Sequence, residues 1–167
     1  KRSLLLTHVY TVPVAGGPLT CITEANPAES IIQRWTPDGA FVVYGRTTDA
    51  EFYADHAKLW RWERASGKHT EWLGDWDRWP THWEFAADGT LVIAAEDNAR
   101  GKLWAWKGSG APRALTHHGT AAGYAVTAAG RVFYSHQSLT QPAEVHAVGA
   151  DGRGAARLTR FADEVAG

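Results

Sequence analysis

The sequence repeats one order of strand and turn signals three times. Each copy has a strand ending in a glycine turn, a second apolar strand, a polar loop, and a third strand of aromatic and aliphatic residues. The turns are Pro37-Asp38-Gly39, Ala87-Asp88-Gly89 and Ala129-Gly130, and the third strands contain Leu59-Trp60, Leu103-Trp104 and Val145-His146. Trp60 and Trp104 are 44 positions apart, and Trp104 and His146 are 42 apart. A four-stranded unit repeating every roughly 40–45 residues is typical of a β-propeller blade.

The repeats predict an all-β β-propeller segment with three complete four-stranded antiparallel blades and a partial one. The complete blades are predicted at 30–73, 79–116 and 121–159, a partial blade of outer strands at 1–23, and the start of a link to a next blade at 160–167. No helix is expected, because no segment of about 11 residues keeps helical periodicity. The chain opens without Met in a strand-turn-strand pattern, so we expect an internal or processed piece of a longer protein.

Composition argues against several classes of function. The 17 Lys and Arg residues nearly balance 18 Asp and Glu residues, so no basic stripe is available to bind nucleic acid. No apolar run approaches the ~20 residues of a membrane span, and no membrane partner is expected. The eight histidines lack the spacing of zinc ligands, so neither a metal nor another cofactor is predicted. Gly108-Ser109-Gly110 lacks the context of a serine nucleophile, and no catalytic residue is predicted in this chain.

The apolar residues indicate blades that are covered on both faces. The second strands are apolar on both sides, as in Phe41-Val42-Val43-Tyr44, which is typical of a fully buried strand. We favour the interpretation that the nine tryptophans fill the space between blades, and the alternative is a surface that binds sugars or aromatic groups. Because terminal blades would expose apolar faces, we expect the isolated chain to aggregate, associate or unfold.

Topology separates the loops into two groups. In a four-stranded meander the first and third turns lie at one end, and the second turn and the link to the next blade lie at the other. The second end collects the longer polar loops, at 46–57, 74–78, 96–101, 117–123 and 137–141. We call this end the loop rim and expect function there, because binding residues are commonly carried by loops on a rigid scaffold.

Two charged segments of the loop rim contain candidate substrate-binding residues. Arg78, at the end of Asp75-Trp76-Asp77-Arg78, would contact a substrate or a partner domain. The alternative, which we favour, is an ion pair with an aromatic plug between blades. Glu96 and Asp97 could hold a peptide amine, and Arg100 could hold a carboxylate or carbonyl group. For that segment the alternative, which we also favour, is a solvated loop with local pairing between arginine and acids.

The ordered set of motifs resembles the N-terminal propeller of the prolyl oligopeptidase family of serine peptidases. From residue 54 to residue 161 the chain looks most similar to dipeptidyl peptidase V and the related acylaminoacyl peptidases. The resemblance is carried by Trp35-Thr36-Pro37-Asp38-Gly39, Asp75-Trp76-Asp77-Arg78, Ala95-Glu96-Asp97, Arg100-Gly101-Lys102-Leu103, Ser138-Leu139-Thr140-Gln141-Pro142-Ala143-Glu144-Val145, Asp151-Gly152 and Arg157-Leu158-Thr159.

The resemblance implies a secreted parent enzyme whose Ser-Asp-His triad lies in a separate α/β-hydrolase domain outside this chain. The parent would hydrolyse peptide bonds near a free or blocked N-terminus through an acyl-enzyme. This segment would enclose the peptide substrate and gate its access. Family members that trim dipeptides often grip the substrate amine with propeller acids, which implies a role for Glu96 or Asp97 without assigning it to either. Two alternatives remain open: a non-catalytic scaffold that binds a protein partner on the loop rim, and an array in which several copies complete one ring.

Overall fold

A computed structural model of the chain describes residues 6–52 and 54–163. Over these residues the chain forms strands and turns without a helix, so the all-β expectation is confirmed. None of the described segments is therefore an apolar helix long enough to cross a bilayer. Residues 1–5 of the predicted partial blade and 164–167 of the predicted link lie outside the described residues.

The strands of the described residues form one two-stranded sheet and three four-stranded sheets. Every pairing is antiparallel, and each sheet follows the order of the chain. The chain divides into two compact units, Lys1–Asp75 and Trp76–Gly167. In the first unit the strands are β1 Tyr10–Thr11, β2 Thr20–Cys21, β3 Ser30–Trp35, β4 Phe41–Arg46, β5 Lys58–Glu63 and β6 His69–Glu71. In the second unit they are β7 Pro80–Phe85, β8 Leu91–Asp97, β9 Arg100–Trp106, β10 Arg113–Ala114, β11 Thr120–Val126, β12 Arg131–Gln137, β13 Glu144–Gly149 and β14 Ala156–Arg157.

The first unit packs the β1–β2 hairpin against the sheet β3–β6. Val9 and Ile22 from the hairpin segments are buried with Val42 and Tyr44 of β4. The Tyr44 hydroxyl lies 2.8 Å from His69 Nδ1, so this buried hydroxyl has a hydrogen-bond partner within its own sheet. Alternation along β4 therefore places one apolar face against the hairpin, as expected when a short sheet continues a row of blades.

The second unit packs two four-stranded sheets face to face. Val92 and Leu103 of the β7–β10 sheet are fully buried against Val132, Tyr134 and Val148 of the β11–β14 sheet. Burying an aliphatic side chain of this size stabilises a fold by roughly 1.5–3 kcal/mol. The contact between the sheets is therefore a true core, and it fixes the positions of the strand ends that carry the candidate site.

The first strand of each four-stranded sheet contains a β-bulge. The register shifts between Ile31 and Arg34, between Pro80 and His82, and between Ala122 and Ala125. In two of the bulges one residue has a positive φ, which is 49° at Ile32 and 51° at Gly123. Bulges bend a strand and redirect its side chains, and they are common beside functional sites.

Candidate functional site

The charged segment 96–101 is a tight hairpin and not the open polar loop that the sequence suggested. Strand β8 continues through Asp97, β9 begins at Arg100, and these two residues face each other in the ladder. Asn98 and Ala99 form the connection with φ values of 51° and 58°. Two consecutive residues with positive φ are the requirement of the two-residue turn that best matches the twist of a hairpin. The acids of this segment are therefore positioned by paired strands.

Asp97 is the centre of a network of opposite charges. Arg78 Nη2 lies 2.8 Å from Asp97 Oδ1, and Lys102 Nζ lies 3.0 Å from Asp97 Oδ2. The hydrogen bond from Lys102, together with the charges of Lys102 and Arg78, lowers the pKa of the Asp97 carboxyl group. Arg78 also donates to the Asp77 carbonyl oxygen. Both carboxylate oxygens of Asp97 are thus occupied by partners from the same unit.

The segment that carries Arg78 is also held by an aromatic contact. The Trp76 and Trp104 rings lie 5.2 Å apart between centroids, at an interplanar angle of 78°, and Trp104 is buried in β9. An edge-to-face arrangement of this kind contributes about 0.5–1.5 kcal/mol beyond the burial of area. The segment before β7 is therefore fixed to the β8–β9 hairpin by an ion pair and a tryptophan pair.

Glu96 and Arg100 have a different environment from Asp97 and Arg78. Both side chains are exposed, and neither forms a hydrogen bond or an ion pair with any residue that the structure describes. Glu96 and Asp97 are neighbours on one strand, and successive strand residues point to opposite faces. The structure thus brings two of the four candidate residues together and leaves the other two available to a ligand.

Glu96 lines a cleft of about 440 Å³ between the β7–β9 strands and β11. The walls are mostly small side chains, and its polar groups include His82, Glu96 and Tyr124. Gly101 allows the strands to approach, because a Cβ atom at this position would lie 2.7 Å from the Ala121 carbonyl oxygen. The cleft is therefore a consequence of packing two blades closely at positions without large side chains.

The inner wall of the cleft is held by contacts between the two sheets. The Tyr124 hydroxyl donates to the Val92 carbonyl oxygen at 2.9 Å, and its ring lies 5.5 Å from the His82 ring. His82 Nε2 lies 3.4 Å from Glu84 Oε1, and the other oxygen of Glu84 accepts a hydrogen bond from the Val126 amide at 3.3 Å. Glu84 does not itself line the cleft, and its carboxylate holds His82 and the end of β11 in place.

His82 and Tyr124, which line the cleft, were not among the predicted site residues, because they lie on strands and not in loops. Their sequence signal is weak, since polar residues on the first strand of a blade are common whether or not they meet a ligand. Among residues 6–52 and 54–163, the structure places no group of three or more His, Cys, Asp or Glu side chains where they could hold a metal ion.

Comparison with known proteins shows the fold. No family model matches the chain. No curated protein matches it either. The acylaminoacyl peptidase of Pyrococcus horikoshii aligns with 89% of this chain, at a TM-score of 0.68 and 19% identity. A putative TolB of Agrobacterium tumefaciens aligns with 91% of this chain, at a TM-score of 0.66 and 18% identity. The β-propeller domain of the Trilobed protease of Pyrococcus furiosus aligns with 87% of this chain, at a TM-score of 0.61 and 16% identity.

These similarities confirm the β-propeller fold, with three four-stranded blades and a partial one among the described residues. The chain spans 22% of the acylaminoacyl peptidase, 56% of the putative TolB and 43% of the Trilobed protease domain. It therefore corresponds to a part of each structure. Two of these three structures are peptidases or peptidase domains. Because their sequences are at most 19% identical to this chain, the similarity establishes the fold alone.

Proposed function

We propose that this chain is part of the propeller of a serine peptidase of the prolyl oligopeptidase family, similar to dipeptidyl peptidase V. In this proposal a separate α/β-hydrolase domain carries the catalytic triad, and the propeller encloses the peptide and limits its access. The loop rim of the second unit binds the N-terminal amine of the substrate. The motif resemblance and the shared fold with two peptidase structures support this reading.

The observation that carries the proposal is the exposed carboxylate of Glu96 at a cleft, where it has no hydrogen-bond or ion-pair partner among the described residues. A peptide amine is a compact cation that a carboxylate binds through charge-assisted hydrogen bonds. Glu96 is the one carboxylate among the described residues that line this cleft, so it is the group that would hold the amine. The small side chains of Ala94, Ala122 and their neighbours leave room for the first residue of a peptide.

The other candidate residues have different roles in this proposal. Asp97 and Arg78 hold the hairpin in place through their mutual ion pair, and they act on the substrate only through the position of Glu96. Arg100 is exposed on the same hairpin but lies opposite Asp97, on the face away from Glu96, so it contacts a carbonyl or carboxylate group beyond the first residue of the peptide. Of the four candidate residues, this assignment keeps direct contact for Glu96 and Arg100, and it gives Arg78 the ion-pairing role that we favoured from the sequence.

A binding experiment tests the role of Glu96. Titration of the chain with a dipeptide should show weaker binding when the dipeptide amine is acetylated. Glu96→Gln should reduce affinity for the free amine by on the order of tenfold and leave the acetylated form unaffected, because hydrogen bonds to charged groups contribute about 1.5–3 kcal/mol. Glu51→Gln is the matched control, since Glu51 is also an exposed glutamate but does not line the cleft. Equal affinity of both peptides for the wild-type chain would reject amine recognition.

The second candidate function is a non-catalytic propeller that binds a protein partner on the loop rim. It is favoured by the similarity to the putative TolB, whose TM-score of 0.66 is almost the same as the 0.68 of the peptidase. A fluorophosphonate probe separates the two functions, because it labels an activated serine nucleophile. We expect labelling of the native protein that contains this sequence. A native protein that resists labelling, and hydrolyses neither aminoacyl nor acylaminoacyl substrates, would have the scaffold function.

A further inference from the structure

Arg46 is held rigidly at the loop-rim end of β4 in the first unit. Its guanidinium carbon lies 4.4 Å from the centroid of the Trp60 ring, and its Nε donates to Asn26 Oδ1 at 3.0 Å. The side chain is half-buried. Stacking on an aromatic ring and a hydrogen bond to Nε together restrict a guanidinium that otherwise has considerable rotational freedom.

Asn26 is a buried residue whose orientation is determined by its own contacts. It is 5% exposed, and its Nδ2 group lies within hydrogen-bond distance of the Ala28 and Glu29 carbonyl oxygens and the Ser30 hydroxyl. Because all of these neighbours accept hydrogen bonds from the amide nitrogen, the amide oxygen is directed toward Arg46. The acceptor that orients the guanidinium is therefore built into the link between β2 and β3.

The charge of Arg46 has no counterion in the part of the chain that the structure describes. No described carboxylate oxygen lies within 4.0 Å of it, and its two Nη groups make no hydrogen bond with described residues. The half-buried Arg157, in contrast, pairs with Glu144 and Asp163. Charged groups withdrawn from water are normally paired, because removing an ion from solvent costs free energy. At the loop rim, where loops commonly carry binding residues, an oriented cation without a partner among the described residues therefore indicates a place for an external anion.

We propose that Arg46 is the anchor of an oxyanion-binding site on the first unit. With Nε directed to Asn26, the edge formed by Nη1 and Nη2 remains for two parallel hydrogen bonds to a carboxylate or a phosphate group. Trp60 supports the plane of the guanidinium from one side, so little conformational entropy is lost on binding. The site is independent of the Glu96 cleft and does not rest on the peptidase proposal.

Arg61 provides the matched comparison. It also lies over aromatic rings, 4.8 Å from the Phe41 centroid and 5.8 Å from that of Trp72, and its Nε donates to the Thr70 hydroxyl at 3.2 Å. It is located in the middle of β5, away from the loop rim, and its acceptor is a side chain of the outermost strand. An arginine that only supports the packing of aromatic rings would behave as Arg61 does.

Nuclear magnetic resonance of the full chain tests the site. Acetate and inorganic phosphate are titrated separately at constant ionic strength, with chloride as the balancing anion. We expect saturable shifts of the Arg46 Nε–H and Trp60 indole signals, and no saturable shift at the Nε–H of Arg61. Arg46→Lys should weaken binding by on the order of tenfold, because an ammonium group cannot form the paired hydrogen bonds, whereas Arg61→Lys should leave binding unchanged.

The two titrations also identify the anion. Saturation by acetate alone assigns a carboxylate site, saturation by phosphate alone assigns a phosphate site, and saturation by both shows that the two anions share it. Equal responses of Arg46 and Arg61, or no saturable response to either anion, would overturn the proposal and leave Arg46 as a packing residue. The wild-type titration decides this even if Arg46→Lys does not fold.

Discussion

Arg78 Nη2 and Asp97 Oδ1 lie 2.8 Å apart, which ties the segment before β7 to the end of β8. This relationship separates two adjacent acids that are chemically similar. Asp97 is held by cations of its own unit, whereas the exposed carboxylate of Glu96 has no partner in the part of the chain that the structure describes. Asp97 therefore has a structural role, whereas the adjacent Glu96 is accessible to a ligand.

The first prediction concerns the thermal stability of variants at these two positions. Asp97→Asn removes the charge that faces Arg78 and Lys102, so we expect a lower melting temperature, with a difference from wild type that shrinks at high salt. Glu96→Gln should change the free energy of unfolding by less than about 0.5 kcal/mol, as is usual for exposed sites. Calorimetry at low and high salt measures both. Equal melting temperatures for the two variants would contradict the assigned roles.

The second prediction concerns the hairpin turn. Ala99 has a φ of 58°, a conformation that costs a residue with a Cβ atom roughly 1 kcal/mol relative to glycine. Ala99→Gly should therefore stabilise the chain by about 0.5–1 kcal/mol in urea unfolding, and it creates the Asn-Gly sequence that such turns prefer. Ala125→Gly is the control at an exposed strand position, where glycine should destabilise by a similar amount. A destabilised Ala99→Gly variant would show that the turn is not strained.

The third prediction concerns acid sensitivity at Glu144, which is 3% exposed. Burial acts to raise its pKa, but hydrogen bonds from Thr159, the Ala162 amide and Arg157 outweigh it and lower the pKa from 4.5 to about 2. Because the folded pKa is the lower one, the stabilisation is fully present above the unfolded value of 4.5 and is lost as the pH falls toward about 2. The stability of wild type should therefore fall over this interval.

Comparison with Glu144→Gln isolates that contribution. The difference in free energy of unfolding between wild type and the variant should be constant near neutral pH and should shrink below pH 4.5. Glu96→Gln serves as the control, because it makes the same chemical change at an exposed carboxylate that has no hydrogen-bond partner among the described residues. Urea unfolding at several pH values provides the measurement. A difference for Glu144→Gln that stays constant down to pH 3 would contradict the lowered pKa.

The fourth prediction concerns the approach of β9 to β11. The Cβ atom of Gly101→Ala would lie 2.7 Å from the Ala121 carbonyl oxygen, so the two strands must separate. We expect a destabilisation of about 1–3 kcal/mol, typical of overpacking, and a change in the amide signals of the cleft. Gly110→Ala meets no atom within 4 Å and has only the strain of its positive φ, so it should cost about 1 kcal/mol and leave the cleft unchanged. Unchanged stability of Gly101→Ala would show that the strands separate freely.

The sequence alone determined the order of strands and turns. Asp-Gly and Ala-Gly turns can be predicted from the sequence because glycine accepts the positive φ that such turns require. Gly39, Gly89 and Gly130 adopt φ values of 67°, 81° and 75°. Apolar strands of regular length between such turns are sufficient to predict blades, because each blade is a local meander whose pairing joins neighbouring segments. The loop rim followed from the same meander without further information.

Only the tertiary structure decided which residues of the rim are free and which are paired. Asp97 meets Arg78 and Glu96 meets none of the described side chains, although the two acids are adjacent in sequence. Asn26 reaches Arg46, and Gly101 reaches Ala121, across gaps of some 20 residues. These contacts depend on strand register, on bulges and on the distance between packed sheets, and a shift of one residue would point every side chain to the other face. Local sequence patterns do not determine that register, so which side chains pair and which face the cleft is decided only when the sheets pack.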